Sequence, residues 1–97
     1  MSCQNGLNSI VNTSVAVGTA STQVLAGNSK RKYALLVNDS NEAMYLGIGQ
    51  AAVTNKGIPL AIGAAYEISG VNLITTPVYA MCASGAKNLC VVEGSLI

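Results

Sequence analysis

The sequence contains no histidine, tryptophan or phenylalanine, and only 9% of its residues are charged. Histidine is the most frequent general base and a frequent metal ligand, so its absence removes the usual basis for acid–base catalysis and for structural zinc. The four carboxylates, Asp39, Glu42, Glu67 and Glu93, do not have the spacing of a calcium-binding loop. We therefore expect a protein that is not an enzyme and that holds no metal ion or cofactor.

Charge of one sign is also lacking, because the net charge is only +1. A protein that binds nucleic acid or an anionic membrane surface usually shows a strong basic excess. No apolar run approaches the roughly 18 residues that cross a bilayer, and residues 1–6 lack the basic and apolar regions of a signal peptide. We expect synthesis in the cytoplasm, and neither nucleic acid, nor a membrane, nor a small-molecule ligand as partner.

Hydrophobic residues make up 51% of the chain, although only 4% of its residues are aromatic. A chain of 97 residues forms one domain, and its core must consist of Ala, Val, Leu and Ile with four tyrosines. Charged residues usually make up about 25% of a globular protein, so a monomer's surface would be poorly covered here. This shortage predicts self-association. The alternative is that Ser, Thr, Asn and Gly cover the exterior of a sheet.

Short β-favouring runs recur every 8–12 residues and are separated by Gly, Asn and Ser. No stretch of ten residues has helical periodicity. The pattern predicts an all-β domain at residues 13–97, a small antiparallel β-sandwich or barrel of about seven or eight short strands. Pro59 cannot donate a backbone hydrogen bond, which confines residues 58–62 to an edge strand or a strand end. Residues 1–12 are polar and predict an extended N-terminal arm.

Two stretches have the strand–turn–strand pattern of a β-hairpin, residues 30–49 with a turn at 38–41 and residues 78–93 with a loop at 84–88. If the second is a hairpin, Cys82 and Cys90 lie opposite one another, close enough for a disulfide. Two small buried hydrophobic side chains are the alternative, which a reducing cytoplasm favours. Glu67 and Glu93, each in a predicted strand, face outward or pair with Lys or Arg across the sheet.

The N-terminal arm carries Leu7, Ile10 and Val11 as candidate contact residues. A terminal arm is usually poorly ordered unless it is docked, so these side chains either cover the edge of the domain's own core or bind a neighbouring chain. We predict the second and regard all three as partner-binding. The four tyrosines, each inside a predicted strand, are expected to pack in the core or at a self-association interface.

Lys30, Arg31 and Lys32 form the only run of charges in the sequence. Such a run at the start of an edge strand can simply discourage edge-to-edge aggregation. The functional alternative is that the three positive charges meet an acidic surface on a protein partner, which would improve the encounter rate and the orientation of binding. We include all three residues among the candidate partner-binding residues.

Six pieces of the sequence, in order, carry a family resemblance: TQVL at 22–25, RKYALLVN at 31–38, YLGIG at 45–49, GIPL at 57–60, YEI at 66–68 and VEG at 92–94. Together they resemble the small β-sandwich virion proteins of tailed bacteriophages, described as head decoration, cement or head-fibre proteins. The resemblance covers residues 13–95. It implies a non-enzymatic structural role on the capsid exterior, commonly as a trimer, with the major capsid protein as partner.

A second function remains open beside the first. The same sandwich could form the receptor-binding or carbohydrate-binding tip of a phage fibre, with the loops at residues 38–41 and 50–57 reading the ligand. The absence of tryptophan and the scarcity of charge count against this alternative.

Overall fold

The computed structural model describes residues 9–96, which form eight β-strands and one short 3-10 helical turn at Gly70–Asn72. The strands are β1 Ser9–Val17, β2 Thr22–Leu25, β3 Arg31–Asn38, β4 Met44–Ile48, β5 Ile58–Leu60, β6 Ala65–Ser69, β7 Val78–Cys82 and β8 Lys87–Ser95. The prediction of an all-β domain with about seven or eight short strands is confirmed.

The strands form two antiparallel sheets of four strands each. The first sheet has the order β1-β8-β3-β6, and the second has the order β2-β7-β4-β5. Each strand of the first half of the chain pairs with a strand of the second half, in reverse order: β1 with β8, β2 with β7, β3 with β6 and β4 with β5. A double ribbon of this kind, wrapped so that alternate pairs enter opposite sheets, is a jelly-roll sandwich.

Both predicted hairpins are wrong, because each links strands of different sheets. β3 lies in the first sheet and β4 in the second, and the same holds for β8 and β7. Residues 39–43 and 83–86 therefore arch across the sandwich, whose sheets pack about 10 Å apart, instead of returning alongside the preceding strand. Within residues 9–96, β4 and β5 are the only consecutive strands that pair.

Alternate residues of each central strand face the interior. The first sheet contributes four buried side chains to the core, Ala34 and Leu36 of β3 and Leu89 and Val91 of β8. Leu46 of β4 faces them from the second sheet. The core is aliphatic, but the prediction that the four tyrosines share it is wrong, because of the four only Tyr66 packs against it, while remaining half-buried. Burying one such aliphatic side chain contributes about 1.5–3 kcal/mol relative to leaving it exposed.

Pro59 lies in β5, the edge strand of the second sheet, which confirms its predicted edge position. β5 is only three residues long. A proline cannot donate to a neighbouring strand, and an edge strand needs no second neighbour. The missing donor therefore does not interrupt the sheet.

β1 begins at Ser9, so the boundary predicted between residues 12 and 13 falls inside a strand. Residues 9–12 of the predicted arm are extended and pair with β8, from Ser9 opposite Ser95 to Asn12 opposite Val92. Leu7, the first of the three predicted contact residues of that arm, lies outside the described residues.

Cys82 and Cys90 are free thiols in different sheets, so the disulfide alternative is wrong. Cys82 is buried at the end of β7, and its Sγ donates to the carbonyl of Val17 at 3.3 Å. Burial raises the pKa of the Cys82 thiol. Cys90 is half-buried in β8. The alternative of a small buried hydrophobic side chain therefore describes Cys82 fully and Cys90 in part.

Candidate interaction surfaces

Arg31, predicted to contact a partner, is fully buried and serves the fold instead. Its Nε donates to Oε2 of Glu93 at 2.8 Å. The other guanidinium nitrogens donate to three backbone carbonyls, those of Ile74 and Thr76 at 3.0 Å and that of Ala26 at 2.6 Å. Arg31 therefore ties β3 and β8 to the loops at one end of the sandwich, and its assignment as a contact residue is corrected.

A register irregularity explains why Arg31, rather than Lys32, points inward. Ala34 is buried, and strict alternation would bury Lys32 on the same side and expose Arg31. The pairing of β3 with β8 shifts between Arg31 and Tyr33, which reverses the alternation. Glu93 then meets Arg31 across the two strands, so the sequence alternative that pairs Glu93 with a basic residue is confirmed.

Lys30 and Lys32 flank the buried arginine and are exposed. They leave two positive charges at the end of the sandwich where β3 begins. Of the predicted basic run, these two side chains are the ones accessible to another molecule. Their contact with an acidic partner remains a prediction.

The outer side of the first sheet carries four apolar side chains at its centre, Leu35, Val37, Cys90 and Val92, which we call the apolar face. Leu35 lies opposite Val92 and Val37 opposite Cys90 on the adjacent strands β3 and β8. All four are half-buried although they alternate with the core residues of their strands. They form a compact apolar patch on the outside of the domain.

Polar side chains border the apolar face on both sides. Asn12 and Ser14 of β1 lie opposite Val92 and Cys90. On the other side, Glu67 of β6 accepts a hydrogen bond from the Tyr33 hydroxyl at 2.9 Å. This bond holds the pKa of Tyr33 above its usual value of 10.0. An apolar centre with a polar rim is the arrangement found at protein–protein interfaces.

The apolar face was not predicted from the sequence, although its signal is present there. The run ALLV at residues 34–37 and the run LCVV at residues 89–92 are apolar at every position. A strand with one solvated face alternates, whereas a strand covered on both faces reads as a continuous apolar run. Both runs therefore indicate central strands whose outer side is also suited to being covered.

β1 forms the edge of the first sheet next to this face and has no neighbour on its outer side among residues 9–96. It contains Ile10 and Val11 of the predicted arm, whose exposed fractions are 62% and 49%. Neither side chain covers the core of its own domain. Their exposure agrees with one of the two predicted roles, contact with a neighbouring chain.

The outer side of the second sheet carries Tyr45, Tyr79 and Met81, which we call the tyrosine face. Tyr45 lies opposite Met81, and their strands β4 and β7 are adjacent. The Tyr45 hydroxyl donates to Oδ1 of Asn55 at 3.0 Å, and the Tyr79 hydroxyl donates to Oε1 of Gln23 at 3.4 Å. Each ring is half-buried with its polar end held at the surface.

The loop at residues 49–57 packs back onto β4 beside the tyrosine face. A Cβ atom at Gly47 would collide with the backbone of Gln50 and Ala51, and one at Gly57 would collide with the carbonyl of Leu46. These two glycines thus permit the close approach. A cavity of about 150 Å³ remains beneath the loop, lined mainly by apolar groups and by Lys56.

The two loops predicted to read a ligand leave β4 at opposite ends, because residues 39–43 precede Met44 and residues 49–57 follow Ile48. Asn38 is buried, and its side-chain amide donates to the carbonyls of Glu42 and Leu60, both at 2.9 Å. Asn38 is therefore a structural residue of the arch and not part of an accessible loop.

The arch at residues 39–43 is joined to the arch at residues 83–86 by a carboxylate clamp. Glu42 accepts hydrogen bonds from the backbone N–H and from Oγ of Ser84, both at 2.7 Å. These two bonds lower the pKa of Glu42 below its usual range. Lys87 extends the contact by donating to Oδ1 of Asn41 at 2.7 Å. The polar residues of this end hold the two sheets together.

Residues 9–96 contain no cluster of three or more histidine, cysteine or carboxylate side chains that could hold a metal ion. In the same part of the chain, no helix has the length and apolar character needed to cross a membrane. The surfaces that remain to be explained are the apolar face, the tyrosine face, the edge of β1 and the two exposed lysines. No family model, curated protein or solved structure matches the chain.

Proposed function

We propose that the chain is a non-enzymatic structural protein of a bacteriophage virion, which binds the exterior of the capsid as a decoration or cement protein. Its partner would be the major capsid protein. The sequence resemblance leads to this proposal, and the observation that carries it is the apolar face. The two central strands of the first sheet are apolar on both sides, which suits a sheet whose outer side becomes covered on assembly.

The apolar face is well suited to docking because it is rigid before binding. β3 and β8 each pair with strands on both sides, and the ion pair of the buried Arg31 with Glu93 fixes them at one end. A preorganised surface loses little conformational entropy when it binds. Contacts made by Leu35, Val37 and Val92 would therefore contribute to affinity with little cost of ordering.

The two exposed lysines would act differently from the apolar face. Lys30 and Lys32 would meet an acidic part of the capsid surface and guide the protein to its orientation. Charges at the rim of an interface mainly change the association rate and its salt dependence. The chain's small net charge leaves such steering to this local pair.

Stabilisation of the shell would follow from mass action. A protein that binds across the joint between capsid subunits must be released when the joint opens, so its binding free energy adds to the cost of opening. At a free concentration of about 100 times Kd, this addition is roughly 2.7 kcal/mol per site. The resemblance further implies a trimer, which would bind with several such sites at once.

The test uses virus shells that lack the protein. The purified chain is incubated with them, and we expect it to sediment with the shells and to raise the temperature of genome release. Leu35→Lys should abolish sedimentation because it places a charge at the centre of the apolar face. Ile62→Lys is the matched control, since Ile62 is an exposed apolar residue outside that face. Equal sedimentation of both variants would reject the apolar face as the docking surface.

A receptor-binding or carbohydrate-binding fibre tip is the second candidate, and the tyrosine face favours it. Tyr45 and Tyr79 present aromatic surface with hydroxyls held at its rim, a combination that can stack on a sugar ring while offering hydrogen bonds. Three results together would establish this candidate and reject the decoration proposal. The chain would bind host cells or glycans, Tyr45→Ala would abolish that binding, and the chain would not bind capsid shells.

A further inference from the structure

Among residues 9–96, β1 is the sheet edge that lacks protection against pairing with another chain. Natural edge strands are blunted by shortness, proline, irregular register or charge. β5 has three residues and contains Pro59, β2 has four residues and an irregular register, and β6 carries the exposed charge of Glu67. β1 is nine residues long and contains no charged residue, proline or glycine. No strand of residues 9–96 pairs with its outer backbone groups, and a partner strand can do so.

The sequence of β1 is self-complementary about Thr13. In an antiparallel pair of two copies centred there, Asn12 meets the partner's Ser14, Val11 meets the partner's Val15, and Ile10 meets the partner's Ala16. Polar residues thus face polar residues and apolar residues face apolar ones along the central seven positions. Facing side chains in such pairs contact each other directly. A shift of the pairing by one residue would bring Val11 opposite Ser14 of the other copy, or Asn12 opposite its Val15.

The exposed side chains of β1 fit the same pairing. Ile10 and Val11 are the most exposed large apolar residues of the strand, and this register would cover both with apolar side chains of a second copy. The absence of charge also matters, because a strand paired with itself about a two-fold axis brings like charges together near its centre. β1 has none to repel.

We propose that two copies of this chain associate through β1, pairing antiparallel with Thr13 of each copy on the two-fold axis. The first sheets of the two copies then form one continuous sheet of eight strands. Their apolar faces lie side by side on one surface. This pairing does not depend on the virion role, and it predicts a two-fold contact where the family resemblance implies a three-fold one.

The first measurement is the mass of the wild-type chain by native mass spectrometry and sedimentation equilibrium over a range of concentrations. We expect a dimer, twice the 9.8 kDa of one chain. A chain that remains monomeric at all concentrations overturns the proposal. The proposal is also overturned if the chain stays monomeric and β1 pairs only with an extended segment of a different protein, which would then be the partner of this edge.

Two charge variants test the register. In the proposed dimer, Asn12→Lys with Ser14→Lys places lysine opposite lysine twice, and we expect the mass to fall to that of one chain. Asn12→Lys with Ser14→Glu places lysine opposite glutamate twice, and we expect the dimer to persist. Asn12 and Ser14 are both exposed and lie opposite Val92 and Cys90 of their own chain. Neither double variant therefore places a new charge directly opposite a charged residue of β8.

Thermal unfolding of both variants establishes that each remains folded, and the comparison between them separates repulsion across the pair from the mere presence of two charged side chains on β1. If both variants keep the wild-type mass, or both lose it, the proposed register is wrong. A trimer of unchanged mass in the double-lysine variant would likewise overturn the pairing through β1, while leaving the decoration function untouched.

Discussion

Nε of Arg31 donates to Oε2 of Glu93 at 2.8 Å, and this ion pair joins the first residue of β3 to β8 at a position 62 residues later in the chain. The arginine is fully buried, whereas the glutamate keeps part of its side chain in solvent. Asn28 also donates to the same Glu93 oxygen, at 3.2 Å. The pair therefore belongs to a network that closes one end of the sandwich.

Removing the arginine should destabilise the protein strongly. Breaking one side of a buried ion pair costs about 3–5 kcal/mol, and partial exposure of Glu93 places Arg31→Met near the lower end of that range. The control is Lys32→Met, at the adjacent exposed position, which should change the free energy of unfolding by less than about 0.5 kcal/mol. Chemical denaturation measures both, and similar losses in the two variants would contradict the assigned role of Arg31.

Gly57 and Gly63 separate backbone strain from steric collision. Both have a positive φ, 74° and 76°, but a Cβ at Gly63 meets no atom within 4 Å, whereas one at Gly57 meets the Leu46 carbonyl. Gly63→Ala should cost about 1–2 kcal/mol of unfolding free energy from φ alone. Gly57→Ala should cost clearly more, because the loop must also move away from β4. Equal costs in thermal or urea unfolding would show that the loop packs more loosely than described.

Glu42 should make the protein sensitive to acid. Hydrogen bonds from Ser84 lower its pKa in the folded state below the usual 4.5, so the unfolded chain binds the proton more readily. The stabilising contribution is complete above about pH 5 and is lost as the pH falls through the lowered pKa. Unfolding free energies measured over this range should fall less steeply in Glu42→Gln than in the wild type.

Ser84→Ala provides the matched variant for this titration. It removes the Oγ donor but keeps the backbone N–H that donates to the other Glu42 oxygen. The slope of stability against pH should therefore lie between those of the wild type and Glu42→Gln. Identical slopes in all three proteins would mean that the clamp between the two arches does not contribute to folding.

The two described cysteines should differ in reactivity. The Cys82 side chain is buried, and burial raises the pKa of its thiol, so little thiolate is available. Cys90 is half-buried on the apolar face. In variants that retain one of the two, with Cys3→Ser in both, a maleimide should label Cys90 faster than Cys82. The rates should converge in denaturant, and equal rates in the native state would contradict the assigned burial.

Deleting residues 1–8 tests the arm without disturbing β1, which begins at Ser9. We expect weaker sedimentation with capsid shells, through the loss of Leu7, and an unchanged unfolding temperature. A deletion extended to residue 12 should lower that temperature as well, because it removes four residues paired with β8. Unchanged shell binding after the shorter deletion would remove Leu7 from the proposal.

The sequence was sufficient to predict the strands but not their partners. Runs of β-branched and aliphatic residues between Gly, Asn and Ser mark strands because both preferences are local. Whether a polar loop forms a hairpin within one sheet or crosses to the other sheet depends on the tertiary contacts at its two ends. The arch at residues 39–43 is fixed by the amide of Asn38 binding the Leu60 carbonyl, a contact that no local pattern reveals.

The same limit applies to the contact residues. Three consecutive basic residues look equivalent in the sequence, and only the shifted register of β3 together with Glu93, Ile74 and Thr76 selects Arg31 for burial. Those partners lie more than 40 residues away. The apolar face, by contrast, could have been predicted, since it rests on two continuous apolar runs.

The pairing of Ser9 with Ser95 has a mechanical consequence. β1 and β8 are antiparallel neighbours, so a force applied through these two residues pulls both strands from the same end of their ladder. The hydrogen bonds then carry the load one after another, as in a zip, rather than all together. The sandwich should therefore peel open easily when it is pulled along this direction.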